Sequence, residues 1–248
     1  MAKAAILATG SYLPDKIITN EMWEGTSYLF KGDRDTGSLD RSDPKIVTDE
    51  KIYETSGIKE RRKASSSDTL EMMALQAFLN TGFPASRIDD IIVATSSNRD
   101  NFPSIASGLH SLILRINDGC GTTDISNACT GFATGLKYAS YAALAGRRTL
   151  VVGTERLTDY LDPEDRNSNL FGDGASACVI GPSSHGGGVL SIASMTDSTA
   201  KDLIFQDKDG YLRLDGPKVF EKAVDGVFDT TKRALEDAGF SSKDLTYF

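Results

Sequence analysis

One cysteine in this chain stands where a thiol could act as a nucleophile. Cys129 lies in the run Asp124-Ile125-Ser126-Asn127-Ala128-Cys129-Thr130-Gly131-Phe132-Ala133. Upstream, residues 122–125 are short and β-leaning. Downstream, residues 131–146 carry Ala, Leu and Tyr at helical spacing. A thiol at that junction meets the positive end of a helix dipole and unpaired backbone N–H groups. Both favour the thiolate, which attacks acyl carbons. A buried small hydrophobe is the other reading of a lone cysteine. The residues alone leave both open.

Whatever holds that thiol must be built from the surrounding elements. A chain of 248 residues can bury a large core. Hydrophobic content of 40% and charged content of 25% are those of a soluble globular protein. A net charge of -8 argues against a nucleic-acid partner, which calls for a basic face. No apolar run approaches membrane-spanning length, so no membrane partner is expected. The 3 cysteines, Cys120, Cys129 and Cys178, have no metal-ligand spacing. They suit a reducing, cytoplasmic compartment without a metal or other cofactor.

Apolar periodicity predicts alternating strands and helices. Strands are expected at 6–9, 88–96, 149–154, 176–181 and 189–195, with another starting at 244. Helices are expected from Asn20 as cap, over 50–56 ended by Gly57, and from Asp68 as cap to Gly82 with Leu70, Met73, Ala74, Ala77 and Phe78 inward. Two more cover 104–113 and 217–238, the latter with Phe220, Val224, Val227, Phe228 and Leu235 on one side. Residues 25–44, rich in Gly, Asp and Ser, read as a surface loop or flap. Asp209-Gly210 reads as a hairpin turn. The pattern implies a layered α/β architecture with mainly parallel sheets. The stretches Thr81-Gly82-Phe83-Pro84-Ala85-Ser86-Arg87-Ile88 and Ala238-Gly239-Phe240-Ser241-Ser242-Lys243-Asp244-Leu245 correspond, which implies an internal duplication.

Several motifs in order resemble one family. They are Gly10-Ser11-Tyr12-Leu13-Pro14, Thr55-Ser56-Gly57-Ile58-Lys59-Glu60-Arg61, Phe102-Pro103-Ser104 and Asn127-Ala128-Cys129-Thr130-Gly131-Phe132. Val152-Gly153-Thr154-Glu155, Asp162-Pro163-Glu164-Asp165-Arg166, Phe171-Gly172-Asp173-Gly174-Ala175 and Val219-Phe220 complete the set. From end to end the chain resembles the β-ketoacyl-acyl-carrier-protein synthase III group of the thiolase superfamily. The resemblance implies a five-layered αβαβα fold with duplicated halves. Residues 1–185 would be the first half and 186–248 the start of an incomplete second half. It implies an acyltransferase, usually a homodimer, that loads an acyl thioester on Cys129 and condenses it with malonyl-acyl-carrier protein in fatty acid or polyketide synthesis. The backbone N–H of Cys129 would form half of an oxyanion hole. Phe102 would cross the dimer interface to line the partner's acyl pocket. Gly172 and Gly174 match the glycine loop near the site, though Asp-Gly is also a common turn pair. Arg166 matches the arginine that helps hold the primer's nucleotide.

The chain departs from that pattern in three places. Members that use acyl-CoA stack its adenine on a Trp after an Asp-Glu pair. Here Lys51 follows Asp49-Glu50, Thr55 replaces a basic residue, and Trp23 lies far upstream. This shifts the expected primer from acyl-CoA towards acyl-carrier protein. The family's His and Asn, which stabilise the enolate, lie beyond the strand expected from Leu245. Neither His110 nor His185 occupies that position, so this stretch alone is not expected to condense. Residues 25–44 are an insertion near the primer entrance. Alternatives are acyl transfer to a non-malonyl acceptor, forming an ester or amide, and a non-catalytic partner subunit.

Overall fold

A computed structural model describes residues 3–30, 38–100, 102–183 and 187–246. The strands are β1 (Lys3–Tyr12), β2 (Lys16–Thr19), β3 (Gly25–Phe30), β4 (Leu39–Val47), β5 (Glu60–Lys63), β6 (Asp90–Ala94), β7 (Gly121–Ile125), β8 (Thr149–Arg156), β9 (Asp173–Ser183), β10 (Ile204–Gln206) and β11 (Leu212–Leu214). The helices are α1 (Asp49–Ser56), α2 (Leu70–Leu79), α3 (Ile105–Leu112), α4 (Gly131–Leu144) and α5 (Gly216–Ala238). Two compact units result. One comprises Met1–Ile18, Arg61–Thr158 and Gly172–Val189; the other comprises Thr19–Glu60, Asp159–Phe171 and Leu190–Phe248.

The first unit is built on a five-stranded sheet ordered β1-β9-β8-β6-β7. Side chains alternate across it, as the pleat requires. Ile91, Val93, Leu150, Val152, Ala177 and Val179 face α2 and α3, meeting Met73, Ala77, Phe78, Ala106 and Leu109. Val151, Cys178 and Ile180 face the opposite way, onto Ala139 and Ala143 of α4. The sheet is therefore covered on both faces, which explains its continuous apolar strands. β6 runs parallel to β7 and β8, as expected, but β9 is antiparallel to both β8 and β1. No α-helix lies between β8 and β9 to carry a parallel crossover.

Helix ends follow local chemistry. Thr48 caps α1 by accepting the N–H of Lys51, and Gly57 closes it at φ +70°. α2 is capped by Thr69, not Asp68; its expected inward residues are all buried. Asp68 instead accepts from Tyr12 and from the backbone and hydroxyl of Ser65. Asn20 caps no α-helix: it opens a 3-10 turn and spends its buried amide on Asp49 and the Ile58 carbonyl.

Among the described residues, the second unit contains two hairpins and two α-helices. Residues expected as a loop form the β3–β4 hairpin; positions 31–37 between these strands lie outside the described residues. Thr26, Tyr28 and Ile46 supply β-branched and aromatic character that the Gly and Asp content obscured. β10 and β11 pair across Asp209-Gly210, with Gly210 at φ +88°. Phe30 and Phe205 meet edge to face at 5.3 Å. Residues 189–195 form no strand. Towards the end the chain forms a 3-10 turn at Ser242–Asp244, with no strand through 246; Tyr247 and Phe248 lie outside the described residues. α5 runs from an Asp215 cap to Gly239 as expected, yet Phe220, Val224, Val227 and Phe228 are exposed. The two corresponding helix exits share a form: a left-handed glycine (Gly82 or Gly239), a Phe, and a 3-10 turn (Ala85–Arg87 or Ser242–Asp244).

Candidate functional site

The chain leaves β7 at Ile125 and turns sharply before α4. Cys129 sits in that turn, inside a 3-10 segment Ala128–Thr130 that runs directly into the helix. Ala128 is held at φ +44°, a left-handed conformation that costs a non-glycine residue on the order of 1 kcal/mol. Side chains stabilise the turn. The Asn127 amide donates to the hydroxyls of Thr130 and Thr134, both at 3.0 Å. Thr130 in turn donates to the Asn127 carbonyl at 3.0 Å. With its hydroxyl spent there, Thr130 caps no N–H of α4. Cys129 is exposed, so the buried-hydrophobe reading fails.

α4 approaches the sheet closely because its inner face is small. A Cβ on Gly131 would lie 3.3 Å from the Ala94 Cβ, and one on Gly135 would lie 2.7 Å from a Val151 methyl. Glycine there sets how far the N-terminus of α4, and so Cys129, stands from the strands.

The other cysteines are unsuited to attack. Cys178 is buried in the sheet, which pushes its thiol up. Cys120 is pushed up to about 11, by burial first and then by Asp90 and Asp89. Both remain protonated near neutral pH.

Phe102 precedes α3 and is 83% exposed. Asp124 orients that segment: its two carboxylate oxygens accept the N–H groups of Ile105 and Ala106, each at 2.8 Å. An acid at the start of a helix also complements its dipole. Asp124 therefore ties the strand leading to Cys129 to the helix following Phe102, a role the sequence did not disclose.

Gly172 and Gly174 flank Asp173 at the start of β9, not in a tight turn. A Cβ on Gly172 would come within 3.0 Å of the Arg61 Cβ, and one on Gly174 within 3.2 Å of Leu13. Close approach, not a special φ, distinguishes both positions, more tightly at Gly172, which faces the Arg61 Cβ and the Arg62 backbone, than at Gly174, which faces the end of the Leu13 side chain. Asp173 is buried and accepts from the Ala64 N–H at 2.7 Å and from Thr158. Gly174 pairs with Glu155 of β8. The Glu155 carboxylate accepts the Ser96 N–H at 2.8 Å and the Ser97 hydroxyl, joining the ends of β8 and β6. Burial raises the pKa of Glu155 against the pull of those hydrogen bonds. Cys129, Gly174 and Glu155 thus lie at one end of the sheet, where β6, β7 and β8 end and β9 begins. Nothing in the spacing of Glu155 marked it out.

Arg166 lies in the second unit, half-buried, at the first position of the 3-10 turn Arg166–Leu170. Trp23 is buried there and offers no open stacking face. Lys51, at the position of the family's Trp, is exposed and reaches Glu54 at 3.5 Å. His110 is on α3 with its Nε2 buried and lacking a hydrogen-bond partner, and His185 lies outside the described residues. Among the described residues no group of three or more His, Cys, Asp or Glu could hold a metal ion. None of the described helices is long and apolar enough to cross a membrane.

Comparison with known proteins decides what this arrangement is. A β-ketoacyl-[acyl-carrier-protein] synthase III from Geobacillus kaustophilus is 34% identical over 251 residues, covering 98% of this chain and 74% of that protein. The chain belongs to the β-ketoacyl-acyl-carrier-protein synthase III family. The family's profile, 3-oxoacyl-[acyl-carrier-protein] synthase III, matches residues 123–198, which include Cys129, Arg166, Gly172 and Gly174. The crystal structure of the 3-oxoacyl-[acyl-carrier-protein] synthase III of Aquifex aeolicus superposes with a TM-score of 0.82 at 30% identity, over 99% of this chain and 74% of that one. The priming β-ketosynthase of the R1128 polyketide pathway does so with a TM-score of 0.80 at 29% identity, over 98% of this chain and 72% of that one. The fold is accordingly thiolase-like α/β, as the motifs of a synthase III led one to expect.

Proposed function

We propose that this synthase III-type acyltransferase takes an acyl group from a thioester onto Cys129 and passes it to a malonyl thioester in fatty acid or polyketide synthesis. The observation that carries the reading is the exposed thiol held by a strained turn at the N-terminal end of α4. Attack by the Cys129 sulfur on the thioester carbonyl forms a tetrahedral oxyanion. Collapse expels the donor thiolate, which takes up a proton, and leaves an acyl-S-Cys129 thioester. The Cys129 backbone N–H, at the positive end of α4, supports the developing charge. Gly172 and Gly174 keep β9 close enough to complete the wall of the site, and Arg166 holds the donor's phosphate-bearing arm.

The donor is a phosphopantetheine thioester, acyl-CoA or acyl-carrier protein; Lys51 and the buried Trp23 favour the carrier protein. The exposed Phe102 supports a homodimer in which it enters the partner's acyl pocket. The matching exits of α2 and α5 support two related halves, 1–185 and 186 onward. A cytoplasmic location goes with this chemistry and with the free cysteines. Acyl exchange between acyl-CoA and carrier protein needs only loading and unloading of the thiol. It is expected with the wild-type protein and absent from Cys129→Ala; exchange that survives the substitution would overturn the assignment.

A further inference from the structure

The second unit holds a buried charge cluster that the loading chemistry does not use. Arg213, on β11, has a side chain only 6% exposed. Each face of its fork meets a different acid: Nε donates to Asp207 at 2.8 Å, Nη1 to Asp165 at 3.2 Å and Nη2 to Asp162 at 2.8 Å. Burial alone would lower the Arg213 pKa; the three carboxylates, Asp162 first, overcome that and raise it. One cation among three buried acids is a poor device for stability, because desolvation offsets most of the attraction. It is a good device for geometry, since a planar fork with three fixed partners permits little movement.

What it fixes is the 162–166 loop. Asp162 and Asp165 belong to that loop, whereas Asp207 belongs to the β10–β11 hairpin. Asp165 also accepts the Asn167 N–H at 2.9 Å and so caps the turn that begins at Arg166. Asn167 donates its side-chain amide to the Leu214 carbonyl at 3.0 Å. Both chain neighbours of Arg166 are therefore tied to β11, one to Arg213 and one to Leu214. From the other side, the Tyr28 N–H donates to the Glu164 carbonyl at 3.0 Å, and Arg41 pairs with Glu164 at 2.6 Å. The backbone at Arg166 has its direction set by these ties.

We propose that Arg213 is a positioning residue for primer recognition: through Asp162 and Asp165 it holds Arg166 where the phosphate-bearing arm of an acyl donor is bound. This rests on the reading that Arg166 meets that arm. Arg213→Lys keeps the buried charge but removes the fork, so one or two acids lose their partner and the loop regains freedom.

The test measures loading of Cys129 by mass spectrometry, with the best-loading acyl-CoA from acetyl to octanoyl and with the same acyl group on N-acetylcysteamine, which lacks the phosphates and adenosine. Arg213→Lys is expected to raise the half-saturating acyl-CoA concentration on the order of tenfold, the coupling typical of one hydrogen-bond network, with the maximal loading rate within about twofold. N-acetylcysteamine loading should be unchanged, which a general structural defect would not allow. In an Arg166→Ala background, Arg213→Lys should add nothing. Multiplying effects in the double variant, or an equal loss with both donors, would overturn the positioning role. No change in acyl-CoA loading on Arg166→Ala, with N-acetylcysteamine loading intact, would reject the reading of Arg166 and the proposal with it, while leaving Cys129 as the nucleophile. Should Arg213→Lys fail to fold, Asp207→Asn, which loosens the guanidinium at Nε alone, is held to the same criteria.

Discussion

Replacing Gly135 by alanine tests whether the closeness of α4 to the sheet is what places Cys129. The added methyl carbon would lie 2.7 Å from Val151 Cγ1 and 3.5 Å from Ile92 Cγ2. Val151 is fully buried and β-branched, so it cannot turn aside cheaply. Relief requires α4 to lift by about 1 Å, since carbon atoms rest about 3.5–4.0 Å apart. Overpacking of this kind costs about 1–3 kcal/mol, and the rigid neighbour places it near the top of that range. Alanine returns about 1 kcal/mol through its better helix propensity. The net loss is about 2 kcal/mol, or about 4–8 °C in melting temperature for a chain of this length. Gly226→Ala in α5 is the matched control. Its Cβ would meet nothing closer than the Met195 sulfur at 3.9 Å, so only the propensity gain of up to about 1 kcal/mol applies. Thermal melts followed by circular dichroism should thus move in opposite directions for the two variants. A Gly135→Ala protein as stable as wild type would refute the close-contact argument. Its Cys129 loading should fall as well, since the helix start moves with the helix.

Further outcomes follow from buried charge, packing and thiol exposure. Arg213→Met strands Asp162, Asp165 and Asp207 without their cation and should cost about 3–5 kcal/mol in urea denaturation, far more than an exposed Arg41→Met. Glu155 has a folded-state pKa above its unfolded value, so its contribution to stability is complete below the ordinary glutamate range and is lost as pH rises through the raised value. Glu155→Gln should therefore flatten the decline in stability just above the ordinary glutamate range; an unchanged slope in denaturant melts would count against burial as the cause. Met73→Ala, at a position with no exposed surface, should cost about 2–5 kcal/mol. Iodoacetamide at pH 8 should label Cys129 ahead of Cys120 and Cys178, read from digested peptides; earlier labelling of Cys178 would contradict its burial.

The sequence exposed most of what local chemistry governs. α2 was legible because Leu70, Met73, Ala74, Ala77 and Phe78 share one face, and Cys129 because a strand ends and a helix starts around it. The β3–β4 hairpin was not, since its Asp, Gly and Ser look like loop until the strands pair. The antiparallel course of β9 depends on the absence of a crossover helix, which periodicity reports only indirectly. Val189, Leu190, Ile192 and Ala193 look like a strand yet find no ladder partner. The roles that escaped notice, those of Asp124, Glu155 and Arg213, act through contacts made far along the chain. No residue spacing encodes such pairs; they exist only once the sheet is assembled.

The direct test of the account is the mass of the protein after brief exposure to an acyl thioester, followed by peptide mapping. A gain equal to one acyl group, located on the peptide containing Cys129 and missing from Cys129→Ser, is the predicted result. An acyl group on Cys120 or Cys178, or one retained by the serine variant on another residue, would contradict it.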